Sequence, residues 1–139
     1  MAPYDRKQPV DPNIIEALKS LPIQMINHLG VTVTIREKAG RETGYEHIAD
    51  TGHGLQVRDI LRIPDILRKP DAVCVDLIHP RDNKVYYGCK YRKNRFDGFI
   101  KIVTSKGKSG GEVIVTVFLT KRIKEKHKSV FQRKRNVLK

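Results

Sequence analysis

Two stretches of sequence decide the fold: Lys84-Val-Tyr-Tyr-Gly-Cys-Lys-Tyr-Arg92 and Glu112-Val-Ile-Val-Thr-Val-Phe-Leu-Thr120. Both are rich in β-branched and aromatic residues and are bounded by polar turn residues, which is typical of strands. Residues 72–78 and 98–104 have the same character. The links between these segments are short, and short links favour an antiparallel meander. The pattern therefore predicts a four-stranded antiparallel sheet in the second half of the chain.

The residues before position 72 predict short helices instead. Asp11 and Pro12 suit the N-cap and the first position of a helix. That helix would carry four apolar residues on one stripe: Ile14, Ile15, Leu18 and Leu21. Residues 31–35 alternate like a further strand, and residues 55–63 and 64–70 favour two more short helices. We therefore expect an α+β fold in which N-terminal helices pack on the sheet.

The chain has 139 residues, which is the length of one domain. We expect an N-terminal arm and helix over residues 1–22, the main domain over residues 23–121 and a basic tail over residues 122–139. No apolar run is long enough for a transmembrane helix, and the first residues lack the apolar segment of a signal peptide. Cys74 and Cys89 are too few for a disulfide framework or a structural zinc site. The sequence thus predicts a cytoplasmic protein with free thiols.

Positive charge is concentrated in the second half of the chain. There are 28 Lys and Arg against 15 Asp and Glu, a net charge of +13. Residues 84–108 carry +7 and residues 121–139 carry +8, whereas residues 1–83 carry −1. This balance argues against a carrier of cationic ligands. Two basic segments around a neutral strand favour a phosphate backbone as partner, with a solvated surface as the plain alternative.

Strand alternation sorts the side chains of the predicted sheet into two faces. The nearly apolar set should face the helices and contains Val73, Val75, Leu77, Val85, Tyr87, Cys89, Tyr91, Ile100, Ile102, Val113, Val115, Val117 and Leu119. The other set combines rings, hydroxyls and cations, and contains Cys74, Asp76, Ile78, Tyr86, Lys90, Arg92, Phe99, Lys101, Val103, Ile114, Thr116, Phe118 and Thr120. This assignment also separates Cys74 from Cys89, which argues against a disulfide between them.

The second set of side chains predicts a face that can hold a nucleotide. Its cations can bind phosphate while its aromatic rings stack on bases. We expect substrate binding by residues of this face and of the segment that follows it: Tyr86, Lys90, Arg92, Thr120 and Lys121. The simple alternative is the solvated face of an antiparallel sheet.

His47 and His53 are the histidines best suited to chemistry. His53 is flanked by Gly52 and Gly54, which let the backbone approach a ligand closely or simply let the chain turn. The spacing of the two histidines does not suit a zinc pair, so neither a metal nor another cofactor is expected. RNA cleavage without a metal needs a base, an acid and cations for the phosphate. Histidine and lysine side chains can supply all three.

The order of these elements resembles the phage-associated branch of the barnase–EndoU–colicin–RelE-like nucleases. The resemblance covers about residues 45–121 and is carried by His47-Ile48, His53-Gly54, Pro64-Asp-Ile-Leu67, Pro70-Asp71 and Val113-Ile-Val-Thr-Val-Phe-Leu-Thr120. Members of this family are small, basic, metal-independent ribonucleases found in phage-encoded proteins and bacterial toxins. Related domains often carry an Arg at the position that Gly52 occupies here.

The resemblance implies a catalytic group of His47, His53, Lys101 and Thr116. His53 would be the main acid or base, and His47 would be the second proton-transfer or positioning residue. Lys101 and Lys90 would hold the phosphate, while Thr116 would orient the phosphate or the 2′-hydroxyl.

The resulting hypothesis is a metal-independent endoribonuclease of toxin or phage type that cleaves RNA by acid–base transesterification. RNA is the expected partner, with tRNA among the candidates. An acidic immunity or antitoxin protein would complement the basic half of the chain. The alternatives are a non-catalytic nucleic-acid-binding module and a phage structural protein whose basic tail contacts nucleic acid. A degenerate nuclease fold kept for partner binding lies between them.

Overall fold

A computed structural model describes residues 10–36, 45–49, 54–76, 84–107, 110–122 and 127–132, with the backbone alone for residues 46, 47, 76 and 127–132. These ranges contain four helices: α1 (Pro12–Ser20), α2 (Tyr45–Ile48), α3 (Val57–Leu61) and α4 (Ile63–Arg68). They also contain seven strands: β1 (Gln24–Ile26), β2 (Thr32–Thr34), β3 (Ala72–Asp76), β4 (Lys84–Arg92), β5 (Arg95–Lys106), β6 (Glu112–Thr120) and β7 (His127–Gln132).

The described strands form one seven-stranded mixed sheet in the order β1-β2-β6-β5-β4-β3-β7. Strands β3 to β6 are antiparallel neighbours, as the sequence predicts. However, β2 pairs with β6 in parallel through Val33 and Thr34, and β1 and β7 add the two edges. The prediction of a four-stranded antiparallel sheet is therefore wrong in strand number and in direction, whereas the α+β class is confirmed.

The strand predicted over residues 31–35 is confirmed as β2, but its parallel pairing with β6 and the edge strands β1 and β7 were not predicted. β1 and β2 have three residues each, and only two residues of β2 pair with β6. β7 lies within residues 122–139, the segment predicted as a basic tail, and pairs antiparallel with β3. Such short or highly charged segments contain too little alternation to specify a partner strand.

Helix α1 forms where the sequence predicts it. The Asp11 carboxylate accepts a hydrogen bond from the backbone N–H of Asn13 at 2.9 Å, which caps the first turn. The stripe of apolar residues is buried, with Ile14 and Leu18 in the main core. Helix α1 thus packs against the main core, in line with the expectation that N-terminal helices cover the sheet.

Two clusters of buried apolar side chains lie on opposite faces of the sheet. The larger cluster joins the helices to Val73, Tyr86, Ile100, Ile102, Ile114 and Val117, and we call this side the helix face. The smaller cluster contains Ala72, Cys74, Val85, Tyr87, Cys89 and Phe99, and we call its side the far face. Apolar burial on both faces explains why alternation alone cannot tell which face meets the helices.

The predicted face assignment is wrong for β4. Tyr86 lies opposite Ile102 on the helix face, while Tyr87 lies opposite Lys101 on the far face. The reason is Gly88, because a Cβ atom at this position would lie 2.5 Å from Cγ1 of Ile66 in α4. Only the face that carries this glycine leaves room for the helix.

Two further predicted placements change with this correction. Cys74 and Cys89 belong to the same far-face cluster, not to opposite faces, and both are free thiols. A register shift between Val103 and Thr104 also alters the alternation along β6. As a result Ile114, instead of Val113, joins the helix face.

Replacing Gly88 by Ala tests the close packing of α4 on β4. The added methyl group overlaps Ile66, so we expect the free energy of unfolding to fall by about 1–3 kcal/mol in urea denaturation. Ile66→Ala removes the opposing atoms, and the double variant should lose less than the sum of the two single losses. Strictly additive losses would contradict this account of the packing.

Candidate functional site

The structure describes only part of the predicted catalytic group. His47 belongs to α2 with its backbone alone described, and His53 lies outside the described residues. Lys101 of β5 and Thr116 of β6 have described side chains on the far face. Ile48 and Ala49, which follow His47, belong to the core of the helix face. The segment around His47 therefore packs on the other side of the sheet from Lys101 and Thr116.

Lys101 is a buried cation. Only 5% of the surface of this residue is exposed. The Nζ atom lies 4.8 Å from the centre of the Phe118 ring and 6.0 Å from that of Tyr87. Contact with the faces of aromatic rings stabilises an ammonium group that has lost much of its water. Lys101 is thus placed to hold the far-face cluster together and is poorly placed to meet a phosphate in solvent.

Thr116 has an unusual hydroxyl group. The Oγ1 atom is shielded from solvent and has no hydrogen-bond partner among the residues that the structure describes. Buried hydroxyl groups are normally bonded, because an unmet group loses its hydration without compensation. Because this hydroxyl is shielded from solvent on the far face, it is poorly placed to meet a phosphate in solvent.

Tyr86 and Lys90 do not share a face with Lys101, contrary to the prediction. Tyr86 is fully buried on the helix face. The Nζ atom of Lys90 lies 3.0 Å from Oδ2 of Asp59, and that oxygen also accepts the backbone N–H of Gln56 at 2.8 Å. The pair is almost completely buried, so Lys90 fixes the start of α3 to β4. Neither side chain is exposed to a substrate in this arrangement.

Of the other predicted substrate-binding residues, Thr120 and Lys121 lie at the end of β6 and Arg92 ends β4. Arg92 and Lys121 are exposed, and Thr120 is half-buried. The hydroxyl of Thr120 donates to the carbonyl oxygen of Arg122 at 3.2 Å. The Nζ atom of Lys121 lies 3.4 Å from the carboxylate of Asp97. Since the Lys121 side chain is 81% exposed, this ion pair is weak and leaves the cation accessible.

Strand β6 brings this end of the sheet close to the residue that follows His53. A Cβ atom built on Gly54 would lie 3.7 Å from Cδ1 of Leu119. Gly98 of β5 lies close to the backbone of Thr120 and Lys121. A Cβ atom built on Gly98 would lie 2.7 Å from the Thr120 carbonyl oxygen. The positive φ of 72° at Gly54 is also a conformation that glycine adopts readily.

The turn between β4 and β5 projects from the same end of the sheet. Its central residues, Lys93 and Asn94, have φ values of 51° and 64°, as in a two-residue type I′ turn. Every residue from position 91 to position 96 is exposed. With the two residues after β6, this turn presents five exposed cations: Arg92, Lys93, Arg95, Lys121 and Arg122. Tyr91 and Phe96 add two exposed aromatic rings.

A second polar cluster, which the sequence analysis missed, lies at the opposite end of β6. The buried carboxylate of Glu112 accepts from the hydroxyls of Tyr86 at 2.6 Å and Thr104 at 2.8 Å through Oε1. Its Oε2 accepts from Lys84 Nζ at 3.0 Å and Asn27 Nδ2 at 3.3 Å. Glu112 was visible in the sequence only as an isolated acid in a basic region, and nothing local indicates its four partners.

The surroundings of this cluster disfavour the charged forms of Tyr86 and His28. Burial, followed by the hydrogen bond to Glu112, raises the pKa of Tyr86 well above its usual range. The ring of His28 meets the Tyr86 ring edge-to-face, with the ring centres 6.0 Å apart. Burial, and then the charge of Lys84, lowers the pKa of His28, so neutral imidazole is favoured. Both oxygens of Glu112 already accept two hydrogen bonds each from neighbouring side chains. The cluster therefore holds the fold together and is not a ligand site.

Truncation of Glu112 tests its structural importance. Glu112→Ala leaves a cation and several buried donors without their acceptor, so we expect a loss of about 3–5 kcal/mol in the free energy of unfolding. The exposed Glu16→Ala is the control, with an expected change within about 0.5 kcal/mol. Equal stability of the two variants would show that the buried bonds contribute little.

The helix side also carries a shallow pocket of about 260 Å³. It is lined by Arg62, Asp65, Ile66, Arg68, Lys69 and Asp71. Arg68 is paired with Asp65, and Arg62 donates to the carbonyl oxygen of Cys89 at 2.7 Å. Because Asp65 and Asp71 also line the pocket, it offers a phosphate less than the exposed end of the sheet does.

Within the described part of the chain, no three His, Cys, Asp or Glu side chains converge in a way that could hold a metal ion. None of the described helices has the length and apolar character needed to cross a bilayer.

Comparison of the chain with protein-family models, with characterised proteins and with solved structures found no match.

The two cysteines are buried and should be unreactive in the folded protein. Burial, and then the nearby charge of Asp71, raises the pKa of Cys89 to about 12, and burial also raises the pKa of Cys74. Because the thiolate is the reactive form, an aromatic disulfide reagent should modify neither thiol at about pH 8. Both should react at once in denaturant. Rapid modification of the native protein would contradict their burial.

Proposed function

We propose that the chain is a metal-independent endoribonuclease whose principal acid–base residue is His53, acting beside the C-terminal end of β6. The observation that supports this most strongly is the closeness of Gly54 to Leu119, since a Cβ atom built on Gly54 would lie 3.7 Å from Cδ1 of Leu119. It brings the residue bonded to His53 to the end of the sheet where exposed cations gather. RNA cleavage without a metal needs a residue that transfers protons, which histidine can supply, and cations that stabilise the charge on the phosphate.

The proposed reaction is a transesterification within the RNA. A base removes the proton of the 2′-hydroxyl, the 2′-oxygen attacks phosphorus, and an acid protonates the departing 5′-oxygen. The products are a 2′,3′-cyclic phosphate and a 5′-hydroxyl. His53 supplies one proton transfer, and His47 supplies or positions the other. Thr116 is left out of this reaction, because its hydroxyl is shielded from solvent on the far face.

Exposed cations are better placed to stabilise the phosphate than Lys101 and Lys90. Lys101 and Lys90 are 5% and 8% exposed, and each is held by partners inside the protein. Lys121 at the end of β6 and Arg92 at the end of β4 are exposed and can approach a phosphate without losing buried contacts. One of them would supply the charge that related domains obtain from the Arg at the position of Gly52.

A non-catalytic RNA-binding module is the second candidate. The observation that favours it is the separation of Lys101 and Thr116 from the helix face, to which the segment around His47 belongs. Such a module would keep the basic end of the sheet and its salt-dependent affinity but would not need His53. Both candidates act on RNA, and we keep the cytoplasm as the proposed compartment.

Cleavage of total RNA in EDTA distinguishes the two candidates. Wild-type protein should give fragments that end in 2′,3′-cyclic phosphate, and His53→Ala should lose activity by about 100-fold or more. His127→Ala is the matched control and should cut like the wild type. The unfolding curve of each variant checks that its fold is intact.

Unchanged cleavage by a folded His53→Ala protein would refute the catalytic assignment. Absence of cleavage by the wild type, together with salt-sensitive RNA binding, would instead establish the binding module.

A further inference from the structure

We infer that the β4–β5 turn, residues 91–96, binds unpaired nucleotides, so that the substrate class is single-stranded RNA or the single-stranded loops of folded RNA. This inference rests on the proposed action on RNA and specifies the form of RNA that the surface accepts. It is carried by the combination of exposed aromatic rings and exposed cations in one short turn.

The two rings of the turn are exposed although they are large and apolar. Tyr91 is 55% exposed and Phe96 is 36% exposed. They are paired across the hairpin, with their centres 6.3 Å apart and their planes at 78°. Two neighbouring aromatic rings on a surface expose apolar area that a ligand can cover.

The rings are also held in place from below. Phe96 contacts Phe99 edge-to-face with ring centres 5.1 Å apart, and Phe99 contacts Tyr87 at 5.6 Å. Phe99 and Tyr87 belong to the buried far-face cluster. The exposed pair thus continues an aromatic row that starts inside the protein. Rings fixed in this way lose little conformational freedom when a flat ligand stacks on them.

The charges around the rings select an anionic ligand. Arg92, Lys93 and Arg95 are exposed within the turn, and the turn itself contains no carboxylate. With the nearby Asp97 and Lys121 counted as well, the charges of this surface still sum to +3. An acidic peptide would satisfy the cations but would offer no planar groups to the rings. Nucleotides offer both, since each phosphate is followed by a base with two aromatic faces.

Stacking on the rings requires bases that are not already stacked. In an RNA duplex the base faces are covered by their neighbours, and a protein meets the edges and the backbone instead. Unpaired nucleotides can turn a base out against Tyr91 or Phe96 while their phosphates contact the arginines. The geometry of the turn therefore favours single strands over duplexes.

The experiment measures binding separately from cleavage. Fluorescently labelled RNA of about 12 nucleotides, fully 2′-O-methylated to remove the nucleophile, is titrated as a single strand and as a duplex. We expect the wild type to bind the single strand about tenfold or more tightly than the duplex. Tyr91→Leu and Phe96→Leu should each weaken single-strand binding by about tenfold, with little change for the duplex.

Charge and surface controls complete the design. Arg92→Gln should weaken binding of both forms and reduce the dependence on salt, because a phosphate contact is lost. Leu29→Ala and Lys69→Gln change an exposed apolar residue and an exposed cation elsewhere, and should bind like the wild type. Equal affinity for single strand and duplex would overturn the inference, as would wild-type binding by Tyr91→Leu.

Crosslinking keeps the test decisive if a variant fails to fold. The wild type is irradiated with a single strand that contains 4-thiouridine, and the adducts are mapped by mass spectrometry. Adducts at residues 91–96 support the inference, and adducts confined to other segments refute it. Cleavage without single-strand preference would refute this inference alone, whereas single-strand binding without cleavage would refute the nuclease proposal alone.

Discussion

The carboxylate of Glu112 is the interaction on which the rest of the sheet depends. It joins the turn after β1, the start of β4, the end of β5 and the start of β6 through hydrogen bonds to Asn27, Lys84, Tyr86 and Thr104. The same residue pairs with Val33 where β2 runs parallel to β6. A buried carboxylate is stable only with this many donors around it, so the elements must meet in one arrangement. The opposite end of β6 is then free to carry exposed charge.

The sequence contains enough information for the local elements but not for how they combine. Asp11 and Pro12 mark the start of α1, and β4 and β6 occupy the predicted residues. The faces of β4 could not be predicted, because its more polar set, with Tyr86 and Lys90, is the one buried on the helix face, where Glu112 and Asp59 bond to it. Gly88 decides between them, but only the position of Ile66 on α4 reveals why. The parallel pairing of β2 and the pairing of β7 depend equally on distant contacts.

The candidate site shows the same division. Charge layout and the pairing of rings with cations could be found in the sequence, and both features occur at the β4–β5 turn. The particular residues could not be found, because one inverted strand moved Tyr86 and Lys90 to the wrong face. Tyr91 was hidden for the same reason, since it was placed among the residues that face the helices. A single face error in a sheet therefore moves the buried residues of the inferred binding surface to the other side, whereas the exposed Arg92 at the end of the strand stays accessible.

The parallel pairing of β2 with β6 also sets an order for folding during synthesis. Residues 33 and 34 pair with residues 112 and 113, so the N-terminal hairpin has no sheet to join until nearly eighty further residues have been made. Contacts of such long range slow folding, because a large loop must close before they form. On the ribosome, the β1–β2 hairpin therefore waits while the β4–β5 hairpin can already form from neighbouring residues. Translation would thus expose the basic, aromatic turn before β6 and its parallel partner β2 have joined the sheet.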